Sequence, residues 1–226
     1  MSRVGKTFSP TTGQRTQPWH EPVSEEPYGY PGTDILRNLG EIRSREELEA
    51  FEADATVANI IELRRKPIKG PFDARRLKET HRRIFGNVYP WSVEFRTGIG
   101  MMAKTRSGFT VAYGPSENVP AALDEAFTRL KGENGLSGLV AAAFANRLAY
   151  YYGELDAIHA FREGNSRTLR AFTSDLAQAA GHRLNWAVAA RSADAQKSLY
   201  HARDIAVMRG DVSELATIIA ACLRKR

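Results

Sequence analysis

The thirteen residues Ile158-His159-Ala160-Phe161-Arg162-Glu163-Gly164-Asn165-Ser166-Arg167-Thr168-Leu169-Arg170 constrain this chain more than any other stretch. They set an imidazole, a carboxylate, a Gly-Asn pair and several arginines between two segments with helical apolar spacing. Gly164 and Asn165 take the backbone conformations that a tight loop demands. A helix opening just after them points unpaired N–H groups and its positive dipole end into the loop, which suits an anion such as a polyphosphate. Arg167 and Arg170, three apart, fall on one side of that helix and can both reach phosphate oxygens. Glu163 offers a hard oxygen ligand to a magnesium ion bridging phosphates. His159, at the far end of the loop, stands where a general base takes a proton from an incoming hydroxyl. Polar loops between helices are common and a lone histidine more often packs than catalyses, so spacing alone leaves a purely structural loop as the alternative.

The rest of the chain supplies the scaffold. With 226 residues and 42 % hydrophobic content it can bury a full core. It reads as a partly flexible arm over residues 1–31, holding half of the ten prolines, followed by one domain over residues 32–226. Trp19 and Tyr28 tack the arm onto the body. No apolar run approaches the length of a membrane span, the N-terminus lacks the apolar centre of a signal peptide, and the single Cys222 excludes an internal disulfide. A reducing cytoplasm, with no membrane partner, is the expectation. The net charge of +6 favours acidic partners. No zinc-ligand spacing or RNA-binding aromatic motif accompanies it, so nucleic acid is not expected.

Apolar periodicity predicts a mostly α chain of seven or eight helices. Thr33 caps a short segment carrying Ile35, Leu36 and Leu39 and closed by Gly40. Ser44 and Glu47 form a capping box that opens a helix running to about Arg65. Asp73 caps the next, which ends at Gly86-Asn87. Pro120 begins a helix striped by Leu123, Phe127 and Leu130. An Ala-rich apolar run from residue 137 reaches the loop as the central buried helix. Leu169, Phe172 and Leu176 anchor the helix after the loop, to Gly181. Ser192 caps another, and Gly210-Asp211 turns the chain into a last helix with Leu215, Ile218, Ile219 and Cys222. The one plausible sheet is a hairpin of residues 95–103 and 108–113 about a basic turn at 104–107.

The loop stretch resembles the signature of the Fic/Doc family, His-Pro-Phe-x-Asp/Glu-Gly-Asn-Gly-Arg-x-x-Arg. His159, Phe161, Glu163, Gly164, Asn165, Arg167 and Arg170 match in spacing, while Ala160 replaces the proline and Ser166 the second glycine. The run from Tyr28 to Leu36, the Val88-Tyr89-Pro90-Trp91 segment and the Gly210-Asp211 turn resemble the family as well, above all its bacterial toxins and secreted effectors. The resemblance covers roughly residues 28–220. It implies a mostly α, Fic-type helical bundle with one β-hairpin flap over the active site.

It also implies a protein adenylyltransferase, moving AMP from ATP to a Ser, Thr or Tyr hydroxyl of a target protein and releasing pyrophosphate. In that reading His159 deprotonates the hydroxyl and Glu163 holds Mg2+ against the α- and β-phosphates. Gly164, Asn165, Ser166 and the amides after them cradle the anion, Asn165 donating from its side chain too. Arg167 braces the cradle and the leaving pyrophosphate, and Arg170 reaches the γ-phosphate. Phe161 points into the core. Serine at 166 brings a Cβ that crowds the phosphates or strains the backbone, or a hydroxyl that adds a hydrogen bond; the sequence leaves these open. Alanine at 160 costs some rigidity. The flap, by the resemblance, pairs with an extended segment of the target through backbone hydrogen bonds.

Many family members carry, or are bound by, an inhibitory helix with the pattern Ser/Thr-x-x-x-Glu-Gly/Asn. Here Glu117, Glu133 and Glu163 precede Gly or Asn, but Tyr113, Arg129 and His159 stand four residues earlier. The expectation is therefore a separate, small antitoxin-like partner whose glutamate pairs with Arg170. Such pairs further imply a bacterial cytoplasmic toxin acting on type II topoisomerase subunits, with translocation into another cell as the other route. Two alternatives stand: a Doc-like kinase or other nucleotidyl- or phosphotransferase on this fold, and a binding protein in which Ala160 and Ser166 record impaired chemistry.

Overall fold

Helix α4 (Ala141–Ile158) is the element that the others pack around. Phe144, Leu148, Tyr152 and Leu155 are buried along it, and so are Ala145 and Ala149 between them. Its small residues set the spacing: a Cβ on Gly153 would lie 3.3 Å from Val212 and 3.4 Å from Ala206, so glycine lets two neighbouring elements close on the helix. Helices α3 (Val119–Gly132), α5 (Asn165–Ala179), α6 (Ala193–Arg209) and α7 (Ser213–Cys222) add their apolar stripes to this core. The structure, a computed structural model, describes residues 27–106 and 109–224. The proposed arm, including Trp19, lies outside them up to residue 26, whereas Tyr28 is buried edge-on against Trp91.

Helices α1 (Arg45–Arg65) and α2 (Ala74–Phe85) pack on a second cluster built from Leu48, Leu63, Ile84, Phe85, Val88 and Tyr89. α2 also lies against α5, which brings Phe85 to the loop. The caps read from the sequence are present. Ser44 accepts from the Glu47 amide, Asp73 from Arg76 and Ser192 from Ala195. Each such cap contributes about 1 kcal/mol. Gly181 and Gly210, both with positive φ, close α5 and α6.

Three expectations change. Residues 33–40 form turns and no helix, because polar side chains take over the backbone. Thr33 Oγ accepts from Ile35 N, and Asn38 bonds both the N–H and the carbonyl of Ile42. Leu39 is consequently exposed. The central helix starts at Ala141, later than the apolar run, because Gly138 has φ 84° and Val140 is extended. The hairpin is shifted as well. Strand β1 (Met102–Arg106) pairs antiparallel with β2 (Phe109–Tyr113), Met102 opposite Tyr113 and Lys104 opposite Val111. Lys104 is thus inside a strand, and residues 95–101 do something else, as the site makes plain.

Candidate active site

The loop from His159 to Gly164 joins α4 to α5, and both of its ends are left-handed: His159 has φ 48° and Gly164 φ 80°. Gly164 admits no other residue easily, since a Cβ there would lie 2.3 Å from the Phe85 ring. His159, without glycine's freedom, ends α4 in a conformation that costs an L-residue about 1 kcal/mol and turns its ring into the site. Among the described residues no side chain caps α5, so its first-turn amides are left to face the loop.

The loop is held from within and below. Asn165 Oδ1 accepts from Phe161 N at 3.0 Å, and its Nδ2 donates to Phe161 O at 2.7 Å. The sequence reading had this amide donating to phosphate; in the structure it staples the loop to itself. Phe161 points into the core as expected and lies flat on His81, ring centroids 3.8 Å apart. His81, wholly buried, places its ring nitrogens 2.8 Å from Ser92 O and 3.0 Å from Glu163 O. A neutral ring has one N–H to donate, and burial pushes its pKa down to about 4.

Arg96, 1 % exposed, straps the hairpin to this loop. Its amide bonds Ala160 O at 2.9 Å and its Nε bonds His159 O at 2.7 Å. The rest of the guanidinium donates to the carbonyls of Ile158 and Gly114. One cation thereby satisfies the last carbonyls of α4, where a helix end is negative, and anchors the exit of β2. Burial lowers its pKa, and the opposing pull of Tyr28 and Glu117 does not make up for it.

His159 is not left open as its loop position suggested. The ring is 2 % exposed and stacks under Tyr113 of β2 at 3.7 Å, so the hairpin does lie over the site. Its Nδ1 is 3.3 Å from Asp156 O, and its Nε2 is buried without a hydrogen-bond partner among the described residues. Burial drives its pKa down to about 3, Asp156 pulling the other way and Lys104 and Arg203 adding to the fall. The imidazole is therefore neutral at pH 7, with a lone pair to offer.

Glu163 Oε1 accepts from Gly164 N at 2.8 Å, and Oε2 lies 3.7 Å from Lys104 Nζ of the hairpin. Burial opposes its charge, and Lys104, the Gly164 amide, Arg167 and Arg162 outweigh this and hold its pKa below the ordinary value. Among the described residues no three His, Cys, Asp or Glu side chains form a metal cage. One ionised carboxylate beside an anion site nevertheless fits magnesium, which takes the rest of its shell from phosphates and water.

The two arginines diverge. Arg167 Nη2 is 2.5 Å from Glu52 of α1, a residue that also accepts from Tyr89, and its guanidinium lies over Phe85. Arg170 has no carboxylate partner among the described residues. Ser166 sits in the first turn of α5 without positive φ, so the feared backbone strain is absent. Its Oγ accepts from Arg203 Nη1 at 3.0 Å. A concavity of about 260 Å³ lined by Asp34, Leu48, Glu52, Tyr89 and Glu163 opens beside the loop. The larger cavity of about 880 Å³ between α2 and α3 touches none of these residues.

Sequence reasoning missed Arg96, His81, Glu52, Asp156 and Arg203. Asp156, one turn before His159, was within reach of a spacing argument; the others come from elements far away in the chain.

A helical bundle whose hairpin covers a left-handed histidine and a glycine-started helix defines a class, and comparison with known proteins agrees. The Fic/DOC family profile matches residues 71–177. The chain is 37 % identical over 163 residues to the protein adenylyltransferase VbhT of Bartonella schoenbuchensis, covering 72 % of this chain and 33 % of that protein. It is 34 % identical over 165 residues to the probable protein adenylyltransferase Fic of Escherichia coli, covering 71 % and 76 %. Among solved structures, BepC of Bartonella tribocorum with bound AMPPNP superposes with a TM-score of 0.79 at 24 % identity, over 88 % of this chain and 97 % of that one. The chain belongs to the Fic/DOC family. It spans about one third of the length of the Bartonella schoenbuchensis relative.

Proposed function

We propose that the chain is a protein adenylyltransferase, moving AMP from ATP to a hydroxyl of a target protein. The observation that carries this reading is the uncapped N-terminus of α5, set one short loop from a neutral histidine. The relatives of Bartonella schoenbuchensis and Escherichia coli, named protein adenylyltransferase and probable protein adenylyltransferase, support it. ATP supplies the α-phosphorus and the pyrophosphate leaving group; Glu163 would hold Mg2+, which would supply charge screening for the phosphates. The first-turn amides of α5, Ser166 among them, receive phosphate oxygens. Arg170, which has no carboxylate partner among the described residues, neutralises the terminal phosphate. Arg167 braces the loop through Glu52. His159 Nε2 takes the proton of the target hydroxyl, whose oxygen bonds to phosphorus as pyrophosphate departs. Because Tyr113 covers the ring, a target reaches Nε2 with that part of the hairpin displaced, and the outer hairpin edge is the strand offered to it.

That Arg170 has no carboxylate partner among the described residues also supports regulation by a separate antitoxin-like protein whose glutamate would pair with it, making this chain the toxin of a pair. Type II topoisomerase subunits in a bacterial cytoplasm are the first targets to assay. Among the described residues no helix is long and apolar enough to cross a membrane. The test is incubation of α-labelled ATP and bacterial lysate with wild type beside His159→Ala. Label in a protein band with wild type alone, and a mass increase of one adenylyl group, is the expected result. A phosphate mass instead would make the chain a kinase, and equal labelling by both proteins would end the reading.

A further inference from the structure

Building on the reading of His159 as the base, we propose that Asp156, Arg203 and Ser166 form a positioning chain that holds the imidazole in one tautomer and ties it to the phosphate loop. Asp156 lies on α4 one turn before His159, and both of its carboxylate oxygens are taken by Arg203 of α6, at 2.9 Å from Nε to Oδ2 and 2.8 Å from Nη2 to Oδ1. Both side chains are buried. A bidentate pair of this kind has little rotational freedom. The Oδ1 atom so fixed is 3.8 Å from His159 Nδ1, and the Asp156 carbonyl oxygen is 3.3 Å from the same nitrogen.

Two acceptors facing Nδ1 make it the protonated nitrogen, which leaves the lone pair on Nε2. When Nε2 takes the hydroxyl proton, Nδ1 keeps its own, and the carboxylate beside it steadies the new positive charge. The third guanidinium nitrogen of Arg203, Nη1, donates to Ser166 Oγ at 3.0 Å. Ser166 belongs to the first turn of α5, where the family signature has glycine. The side chain that departs from the signature is thus spent on α6, linking the helix that would cradle phosphate to the group that orients the base. Asp156, Arg203 and Ser166 are positioning residues in this scheme, acting through His159 and the loop.

Nitrogen-15 NMR of the full chain with labelled histidine reads the tautomer directly, the His159 signals being assigned by their loss in His159→Ala. At pH 7 we expect a protonated Nδ1 and a bare Nε2; the opposite tautomer overturns the proposal without touching the assignment of the base. Asp156→Asn should slow labelling from saturating α-labelled ATP by about 10-fold or more, as loss of the carboxylate that orients a histidine base does. Its affinity for AMPPNP should stay at the wild-type value.

The double variant Asp156→Asn/Arg203→Met removes both buried charges, so a purely structural pair predicts that thermal midpoint and rate recover together. We expect the midpoint to recover and the rate to stay low; joint recovery overturns the proposal. Should that variant fail to fold, Ser166→Ala serves, with a rate several-fold below wild type at saturating ATP. A wild-type rate there overturns the link to the loop. A fully active His159→Ala would remove the base itself, whereas an inactive one beside a fully active Asp156→Asn would remove the positioning chain alone.

Discussion

At the residue scale, the site depends on two left-handed positions with different reasons for being so. Gly164 is sterically required: an added Cβ would sit 2.3 Å from Phe85, in a core with no slack. We expect Gly164→Ala to cost about 1–3 kcal/mol in urea unfolding, through backbone strain and overpacking together. It should also weaken AMPPNP binding, because the start of α5 moves with the loop. Unchanged stability would mean that Phe85 yields freely. His159 is required chemically, and its burial changes the kind of base it is. With its pKa driven to about 3, it stays unprotonated across the neutral range. The rate under limiting substrate should then show no acid limb near pH 6.5 between pH 5 and 8; a limb there would mark an exposed, ordinary imidazole. Removing the ring, as in His159→Ala, should lower the rate by about 100-fold or more.

At the scale of elements, the hairpin and the loop behave as one unit because Arg96 joins them. A two-stranded hairpin alone is marginal. This one rests on Ile99 and Val207 through Met102, Val111 and Tyr113, and is tied at its base by the guanidinium that also closes α4. Arg96→Lys keeps a charge but loses the planar fork that reaches several carbonyls at once. Amide hydrogen exchange in β1 and β2 should accelerate by about tenfold or more in that variant, while exchange in α3 and α7 stays put. Equal acceleration throughout would show that Arg96 supports the whole fold and has no special hold on the hairpin. Sequence gave the hairpin's existence but not its register, since residues 95–101 have strand-like composition. What removed them from the sheet is Arg96, whose amide is bonded to Ala160 of the loop.

At the scale of the molecule, two buried histidines make stability depend on pH. His81 and His159 have pKa values lowered from an ordinary 6.5 to about 4 and about 3. The unfolded chain binds protons that the folded chain refuses. Their contribution is therefore complete above about pH 6.5 and is lost as pH falls toward the folded values. Each costs the fold roughly 1.4 kcal/mol per pH unit in that window. The urea midpoint should fall between pH 7 and pH 5, and a flat midpoint would contradict the burial of both rings. Sequence alone determined what local chemistry dictates: helices with their caps at Ser44, Asp73 and Ser192, a hairpin, and a loop able to meet an anion. It also placed the loop histidine, carboxylate and arginines in one segment, because a signature of adjacent residues survives without knowledge of the fold. Only the tertiary structure decided that His159 lies beneath Tyr113, that Arg167 pairs with Glu52, and that Ser166 is claimed by Arg203. Those outcomes depend on which side chains burial brings together from α1, α6 and the hairpin, and no spacing along the chain encodes a meeting of elements so far apart.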